Sequence, residues 1–340
     1  MTKLRVGIIG VGGIAQQRHI PALLQFPELA ELHAVSDTNV ERAQEVAAKY
    51  KVPHVFQHYK GMFDEVDAVI ICTPNKFHAE ITVEALEAGV HVLCEKPMAM
   101  SAAECARMVE ASRTSGKQLA IAYHYRHMPV SQAAKSVMDE VGTPLVVRVK
   151  ALRRRKVPGW GVFTNKELQG GGSLIDYGCH LLDLALWLMG NPKHTAVMGS
   201  TYNALSRTPG QLNQWGSFNH ETFGVDDHVT SYIKFENGAS LLFETSWSAN
   251  ILDDEEHLSI SGTKGGLSVF PFEMYTTKGQ MLLNSQAAWI QGEEDPGLPQ
   301  LQNFLEACVH GAELVVKPEE AMQVSQIIDE IYQSAGGTER

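Results

Sequence analysis

Three residues far apart in the chain carry side chains able to move a proton or steady a charge: Lys96, Asp176 and His180. Lys96 belongs to Glu95-Lys96-Pro97 and directly follows His91-Val92-Leu93-Cys94, a short apolar run that reads as a buried strand. In doubly wound parallel sheets, ligand sites lie just beyond the carboxyl ends of strands, so a lysine there can meet a cofactor and its substrate together. Pro97 fixes its own φ and biases Lys96 away from helical geometry, which holds the ammonium stem on a stiff turn. Asp176 and His180 are four apart in the run Gly170-Gly171-Gly172-Ser173-Leu174-Ile175-Asp176-Tyr177-Gly178-Cys179-His180-Leu181-Leu182-Asp183. With Asp183 three further on, all three share one helical face. A carboxylate beside a histidine sets its tautomer and raises its basicity, which is how a general base is prepared. The same spacing also fits a helix cap at Asp176, a core histidine at His180 or a metal pair, although no further cysteine or carboxylate cluster completes a coordination shell.

A second pattern supplies the ligand such a lysine would meet. Gly10-Val11-Gly12-Gly13-Ile14-Ala15 follows a strand-like run and opens a helix at Ile14. In this GxGxxA string Gly10 allows the tight turn, Gly12 lets the backbone approach a pyrophosphate, and Ala15 permits close helix packing. The helix amino end, at Gly13 and Ile14, adds amide donors and a positive dipole. Turn glycines with no ligand can match such a string, but strand, turn and helix in this order favour a dinucleotide. Asp37 closes the second strand, where a carboxylate accepts hydrogen bonds from the adenosine ribose hydroxyls and repels a 2′-phosphate. It could also cap the helix starting at Val40. Thr38 and Asn39 follow Asp37, with no arginine until Arg42, so NAD is favoured over NADP. Thr73, Pro74 and Asn75, with His78 after them, would lie along the nicotinamide half of the groove, with Glu95 and Lys96 at its far side.

Positioning these groups calls for two kinds of scaffold. Strand-like runs at 4–9, 31–36, 68–72, 91–94 and 119–122 alternate with helical patterns at 40–50 and 79–88. A further helix starts at the capping pair Ser101 and Glu104 and closes at Gly116. This alternation implies a parallel sheet with helices on both faces. Near Tyr123 the rhythm changes to longer strand runs at 145–152, 227–235 and 240–248, the last two joined by the hairpin signal Glu236-Asn237-Gly238-Ala239. Helices are expected at 176–189, 299–310 and 318–334, and a mobile loop at 203–223. The expectation is an α/β protein with two domains, 1–122 and 123–340, whose terminal helices can pack back toward the first.

Composition narrows the function classes. At 340 residues the chain exceeds the size at which one core keeps growing. No apolar run approaches the roughly 20 residues a membrane span needs, and the chain reads as soluble and cytoplasmic, with no membrane partner. A net charge of −11 opposes attraction to phosphate backbones, so no nucleic-acid partner is expected. Five cysteines, odd in number and never in CxxC spacing, argue for free thiols rather than a disulfide framework or zinc ribbon.

Taken together, the GxGxxA string, Glu95-Lys96-Pro97 and the Asp176 to Asp183 segment resemble the glucose-fructose oxidoreductase, inositol dehydrogenase and MocA (Gfo/Idh/MocA) family along essentially the whole chain. The resemblance implies a Rossmann domain followed by an α/β domain with a large, mostly antiparallel open sheet that often mediates homodimers or homotetramers. It implies that Lys96 and the Asp176/His180 pair face the nicotinamide from opposite domains. His180 would take the hydroxyl proton as hydride leaves the same carbon, Lys96 would stabilise the developing alkoxide, and Asp176 would orient the substrate or His180. The implied activity is NAD-dependent oxidation of a secondary hydroxyl on a sugar, sugar acid or cyclitol. Relatives that cleave glycosides through transient oxidation, and a non-catalytic nucleotide sensor, are the alternatives. Tyr123 and Arg126 match a segment where the family reaches its substrate, and a hinge packing the next helix fits equally. Arg153-Arg154-Arg155-Lys156, with Trp160 after it, suggests recognition of an anionic sugar stacked on Trp160, or simply a solvated strand end.

Overall fold

The computed structural model describes residues 3–336. Within them the chain divides into two units, 3–127 with Asp295–Met322, and Met128–Glu294 with 323–336.

The first unit is built on β1 (Leu4–Ile9), β2 (Ala30–Ser36), β3 (His54–Phe56), β4 (Ala68–Ile71), β5 (His91–Cys94) and β6 (Leu119–Ile121). All are parallel and lie in the order β3-β2-β1-β4-β5-β6. Every residue of β4 is buried, as expected for a strand covered on both faces, and this is why the central strands read as unbroken apolar runs. β3 has three residues, two of them exposed, and left no apolar signal to read. The helix Ala102–Ser115 has its first turn capped by the Ser101 hydroxyl, which accepts from the Glu104 amide at 3.3 Å, and ends on Gly116 with φ +67°. Leu301, Phe304 and Leu305 of the late helix Gly297–His310 join the core of Val6, Ile8, Ala15 and Ile20, so the helix after the glycine turn is braced from a distant part of the sequence.

The second unit carries β7 (Pro144–Leu152), β8 (His194–Tyr202), β9 (His228–Phe235), β10 (Ser240–Ser246), β11 (Glu255–Gly262), β12 (Gly266–Ser268), β13 (Glu273–Lys278) and β14 (Met281–Gln286). They form one sheet in the order β14-β13-β12-β11-β7-β10-β9-β8, antiparallel throughout except for the parallel pair β7 and β10. The expected hairpin joins β9 and β10, with Gly238 at φ +83° and the Ala239 amide held by the Asn237 side chain. One sheet face buries Val147, Val149, Leu241, Phe243, Ile233 and Leu258. The single helix expected over 176–189 is corrected: Leu174–Gly178 is a π-helical turn that runs into the α-helix Cys179–Leu188. Gly178 is what lets it settle on β10, because a Cβ there would press on Thr245 and Phe243. No helix among the described residues is long and apolar enough to cross a membrane.

Candidate active site

In the first unit the order of strands reverses between β1 and β4, and the loops leaving both strands meet there. Gly10, at φ +85°, lies so close to the turn after β4 that a Cβ would contact the Cys72 carbonyl and the Thr73 amide at 2.9–3.0 Å. Gly12 is different. A Cβ on it would have nothing within 4 Å, so protein packing does not require a glycine there, and the open space suits the close approach of a pyrophosphate. Thr73 Oγ1, in the same crevice, is buried without a hydrogen-bond partner among the described residues. Pro74 leaves this turn in extended backbone and Asn75 is buried. A dinucleotide fits these groups.

Asp37, buried at the end of β2, accepts from the Val11 amide at 3.0 Å and the Asn39 amide at 2.9 Å. Both its oxygens also receive the Arg42 guanidinium, at 2.7 and 3.1 Å. Burial raises this carboxyl, but Arg42 and the two amides outweigh it and hold the pKa below its ordinary value. The helix Val40–Tyr50 takes its cap from Asn39, whose side chain accepts from the Arg42 amide, so capping is not the task of Asp37. Arg42, the first arginine after Asp37, sits on the carboxylate itself from the first turn of the helix.

Lys96 is the one partly exposed side chain in a turn where Glu95, Pro97, Met98 and Ala99 are all buried. The Lys96–Pro97 bond is cis. Glu95 lies 2.7 Å from the His19 ring and accepts from the Lys96 amide at 3.1 Å. Burial pushes its carboxyl up, yet His19, with the charges of Lys96 and Arg18, brings it down to about 2. His78 is buried between two carbonyls, 2.8 Å from Pro97 O and 2.9 Å from Thr73 O, so it ties the turn after β5 to the turn after β4. Burial lowers its pKa, favouring a neutral ring that donates to one carbonyl at a time. His78 is thereby a brace for the Lys96 turn.

In the second unit the glycine run before Asp176 is held by Asp226. Its carboxylate accepts from the Gly172 amide at 2.8 Å, the Leu174 amide at 3.0 Å, the Ser173 hydroxyl at 2.9 Å and the Tyr332 hydroxyl. Gly172 must be glycine, since a Cβ would overlap the Asp226 carbonyl. From this cradle the π-helical turn presents Asp176, whose carboxylate accepts from Trp247 Nε1 at 3.0 Å and lies 3.8 Å from Arg153. His180 and Asp183 are both buried on the following turns. Trp247 and Asp226 went unnoticed in the sequence, where nothing local links either to Asp176.

The remaining expected site residues differ in burial and in partners. Tyr123 is fully buried, and so is Arg126, which donates to the Val315 carbonyl at 3.1 Å and pairs with Glu320. In the basic run, Arg154 bonds Leu252 O and, through its amide, Asp254; Arg155 bonds Ala249 O and Asn250; Lys156 pairs with Asp254. Only Arg153 turns to Asp176, stacked between the rings of Tyr177 at 4.1 Å and Trp215 at 4.5 Å. Trp160 is exposed, 5.4 Å from Trp215. The segment read as a mobile loop carries a helical turn at Ala204–Arg207 and is pinned at Asn213, which bonds both the amide and the carbonyl of Val157.

Comparison with known proteins agrees with both halves of this picture. Residues 4–123 match the profile of an oxidoreductase family with an NAD-binding Rossmann fold, and residues 131–268 match the GFO/IDH/MocA C-terminal domain. The chain is 36% identical over 337 residues to D-glucoside 3-dehydrogenase of Escherichia coli (strain K12), covering 98% of this chain and 95% of the relative. It is 29% identical over 300 residues to levoglucosan dehydrogenase of Pseudarthrobacter phenanthrenivorans, covering 80% and 75%. Among solved structures, a levoglucosan dehydrogenase complex with NADH and levoglucosan superposes with a TM-score of 0.84 at 25% identity over 98% of both chains. An aldose-aldose oxidoreductase from Caulobacter crescentus superposes with 0.81 at 25% identity over 98% of both.

Proposed function

The chain belongs to the Gfo/Idh/MocA oxidoreductase family, and from that premise we propose that it is an NAD-dependent dehydrogenase oxidising a secondary hydroxyl of a neutral sugar. The observation that carries the reading is Lys96, partly exposed in an otherwise buried turn at the carboxyl end of β5, in the unit whose glycine turn leaves room for a pyrophosphate. The names of the sugar dehydrogenase relatives support the substrate class. Neutrality is argued from the basic run, three of whose four side chains bond protein groups near the strand end.

NAD, when bound, supplies the hydride acceptor. Gly12, Gly13 and Ile14 would hold its pyrophosphate, Asp37 its adenosine ribose, and Thr73, Asn75, Glu95 and Lys96 its nicotinamide half. Lys96 hydrogen-bonds the reacting oxygen and stabilises negative charge as it develops. A His180 ring nitrogen takes the hydroxyl proton, and Asp176, steadied by Trp247 and Arg153, orients the sugar. We place the chain in the cytoplasm, a reading that its five free cysteines fit. It assembles as a homodimer or homotetramer through the open face of the second sheet.

Titration with NADH and NADPH, followed by nicotinamide fluorescence, tests the cofactor: tighter NADPH binding would overturn the role of Asp37. A panel of aldoses, glycosides, uronic acids and cyclitols with NAD, read as NADH absorbance, tests the substrate. Lys96→Ala and His180→Ala should each lower kcat by ~10²–10⁴-fold while NADH binding persists. Near-normal kcat in both variants rules out the assignment, and free sugar released without net NADH would point to glycoside cleavage instead.

A further inference from the structure

We infer that Trp160 and Trp215 form a platform for a second ring of the substrate, so that the enzyme prefers glycosides bearing a cyclic aglycone or a second sugar over free monosaccharides. This rests on the proposed role of Asp176 at the reacting sugar. Trp247 is fully buried, whereas Trp160 and Trp215 are 53% and 37% exposed on two separate loops. The loops are built as a pair: Asn213 bonds both the amide and the carbonyl of Val157, and the Gln214 amide donates to the Arg155 carbonyl. Beneath them Val157, Phe223, Val225 and Trp247 form a small apolar cluster, with Phe163 and Phe218 against it.

A continuous stack connects this pair to Asp176. The Arg153 guanidinium, 3.8 Å from the Asp176 carboxylate, lies between Tyr177 and Trp215, and Trp160 continues outward 5.4 Å from Trp215. A sugar seated at Asp176 would thus have its next ring over the tryptophans. The C–H face of a pyranose or an aromatic aglycone suits an aromatic surface that keeps one side wet. Arg154, Arg155 and Lys156 are turned to protein groups, and Arg153, the cation within the stack, faces the Asp176 carboxylate, so the outer surface at Trp160 offers apolar area and selects a neutral ring.

The test compares glucose and methyl β-D-glucoside with phenyl β-D-glucoside and cellobiose in the NAD-dependent assay. The wild type should favour the two-ring compounds in kcat/KM, and Trp160→Ala or Trp215→Ala should cut that preference by about tenfold, mainly through KM, with Trp215→Phe retaining most of it. An unchanged preference overturns the platform. So does an equal loss for one-ring and two-ring substrates, which would make Trp215 a support for Arg153, or a changed oligomeric mass with selectivity intact, which would make the pair an interchain contact. If wild type binds NADH yet oxidises none of these sugars, the dehydrogenase reading itself fails. Calorimetric titration of cellobiose and glucose into the NADH-loaded protein then decides the platform alone: a cellobiose advantage lost in Trp215→Ala supports it, and equal binding overturns it.

Discussion

Trp247 and Asp176 show how much of this site depends on a single long-range hydrogen bond. The indole donates to the carboxylate at 3.0 Å from 71 positions away in the sequence. A hydrogen bond to a charged group contributes about 1.5–3 kcal/mol. Trp247→Phe removes the donor and leaves a smaller ring in the cavity, so kcat/KM for a sugar substrate should fall roughly 10- to 100-fold with NADH affinity unaltered. In an Asp176→Asn background the same change should cost little, because the two residues act as one unit. Equal losses in both backgrounds would show that Trp247 matters only for packing. The placement of Asp176 and His180 on successive turns was legible because that spacing is local. Trp247 was not, since its place beside Asp176 follows from how the strand leading to it lies in the sheet. The surroundings of Arg126 were hidden for the same reason, its partners Val315 and Glu320 being remote in sequence and its burial invisible in a polar-looking segment.

At the scale of elements, the glycines separate ligand approach from packing. Gly12→Ala adds a methyl group with no protein atom within 4 Å, so thermal stability should hardly change while NADH binding weakens by about tenfold or more. Gly172→Ala drives a methyl group into the Asp226 carbonyl and should lower stability by about 1–3 kcal/mol in urea unfolding. A reversed outcome, with Gly12→Ala unstable and binding normally, would contradict the reading of the turn. Histidines of the first unit add a pH dependence. Burial, reinforced by nearby cations, lowers His91 and His127 to about 4 and His124 to about 3. Their folded values lie below the unfolded 6.5, so the unfolded chain binds the extra protons, and stability present above pH 6.5 is lost as pH falls toward 4. Each contributes up to about 1.4 kcal/mol per pH unit in that window. Glu95, at about 2 when folded, adds nothing to the slope there, because its stabilisation is lost only below the unfolded carboxylate value near 4.5. The urea midpoint should therefore drop between pH 7 and pH 5; a flat profile would mean that these rings take up protons as readily in the folded chain as in the unfolded one. Caps and central strands could be read from the sequence because each has a local cause. β3, β8 and β11 to β14 could not, because short or half-exposed strands leave neither an apolar run nor a clean alternation.

For the whole molecule, alternating strand and helix followed by long strands was enough to read a parallel-sheet domain and an antiparallel one, but which sheet face stays open depends on register. The registers place Met198 opposite Tyr232, Tyr232 opposite Leu242, and Leu242 opposite Arg148, in one row across β8, β9, β10 and β7. Met198 is 67% exposed, Leu242 46% and Tyr232 40%, on the face opposite the buried Val149, Phe243 and Ile233. With strands about 4.8 Å apart, such a row spans roughly 15 Å, and neighbouring rows carrying Lys234, Glu244 and Lys150 give it a mixed polar border. Apolar side chains ringed by charge are the composition of a protein interface, and a stable one needs about 800 Å² from each partner, which a sheet of this breadth can supply. A second copy would meet the same row about a twofold axis, so a substitution enters the interface twice. Leu242→Glu should place two like charges face to face and shift the molar mass measured by light scattering toward that of the monomer, while far-UV circular dichroism shows the sheet intact. Tyr232→Glu should act alike, and Leu282→Glu on β14, outside the row, should leave the mass as it is. A wild type that is monomeric at every concentration, or a Leu242→Glu variant that keeps the oligomeric mass, would remove this face from the assembly.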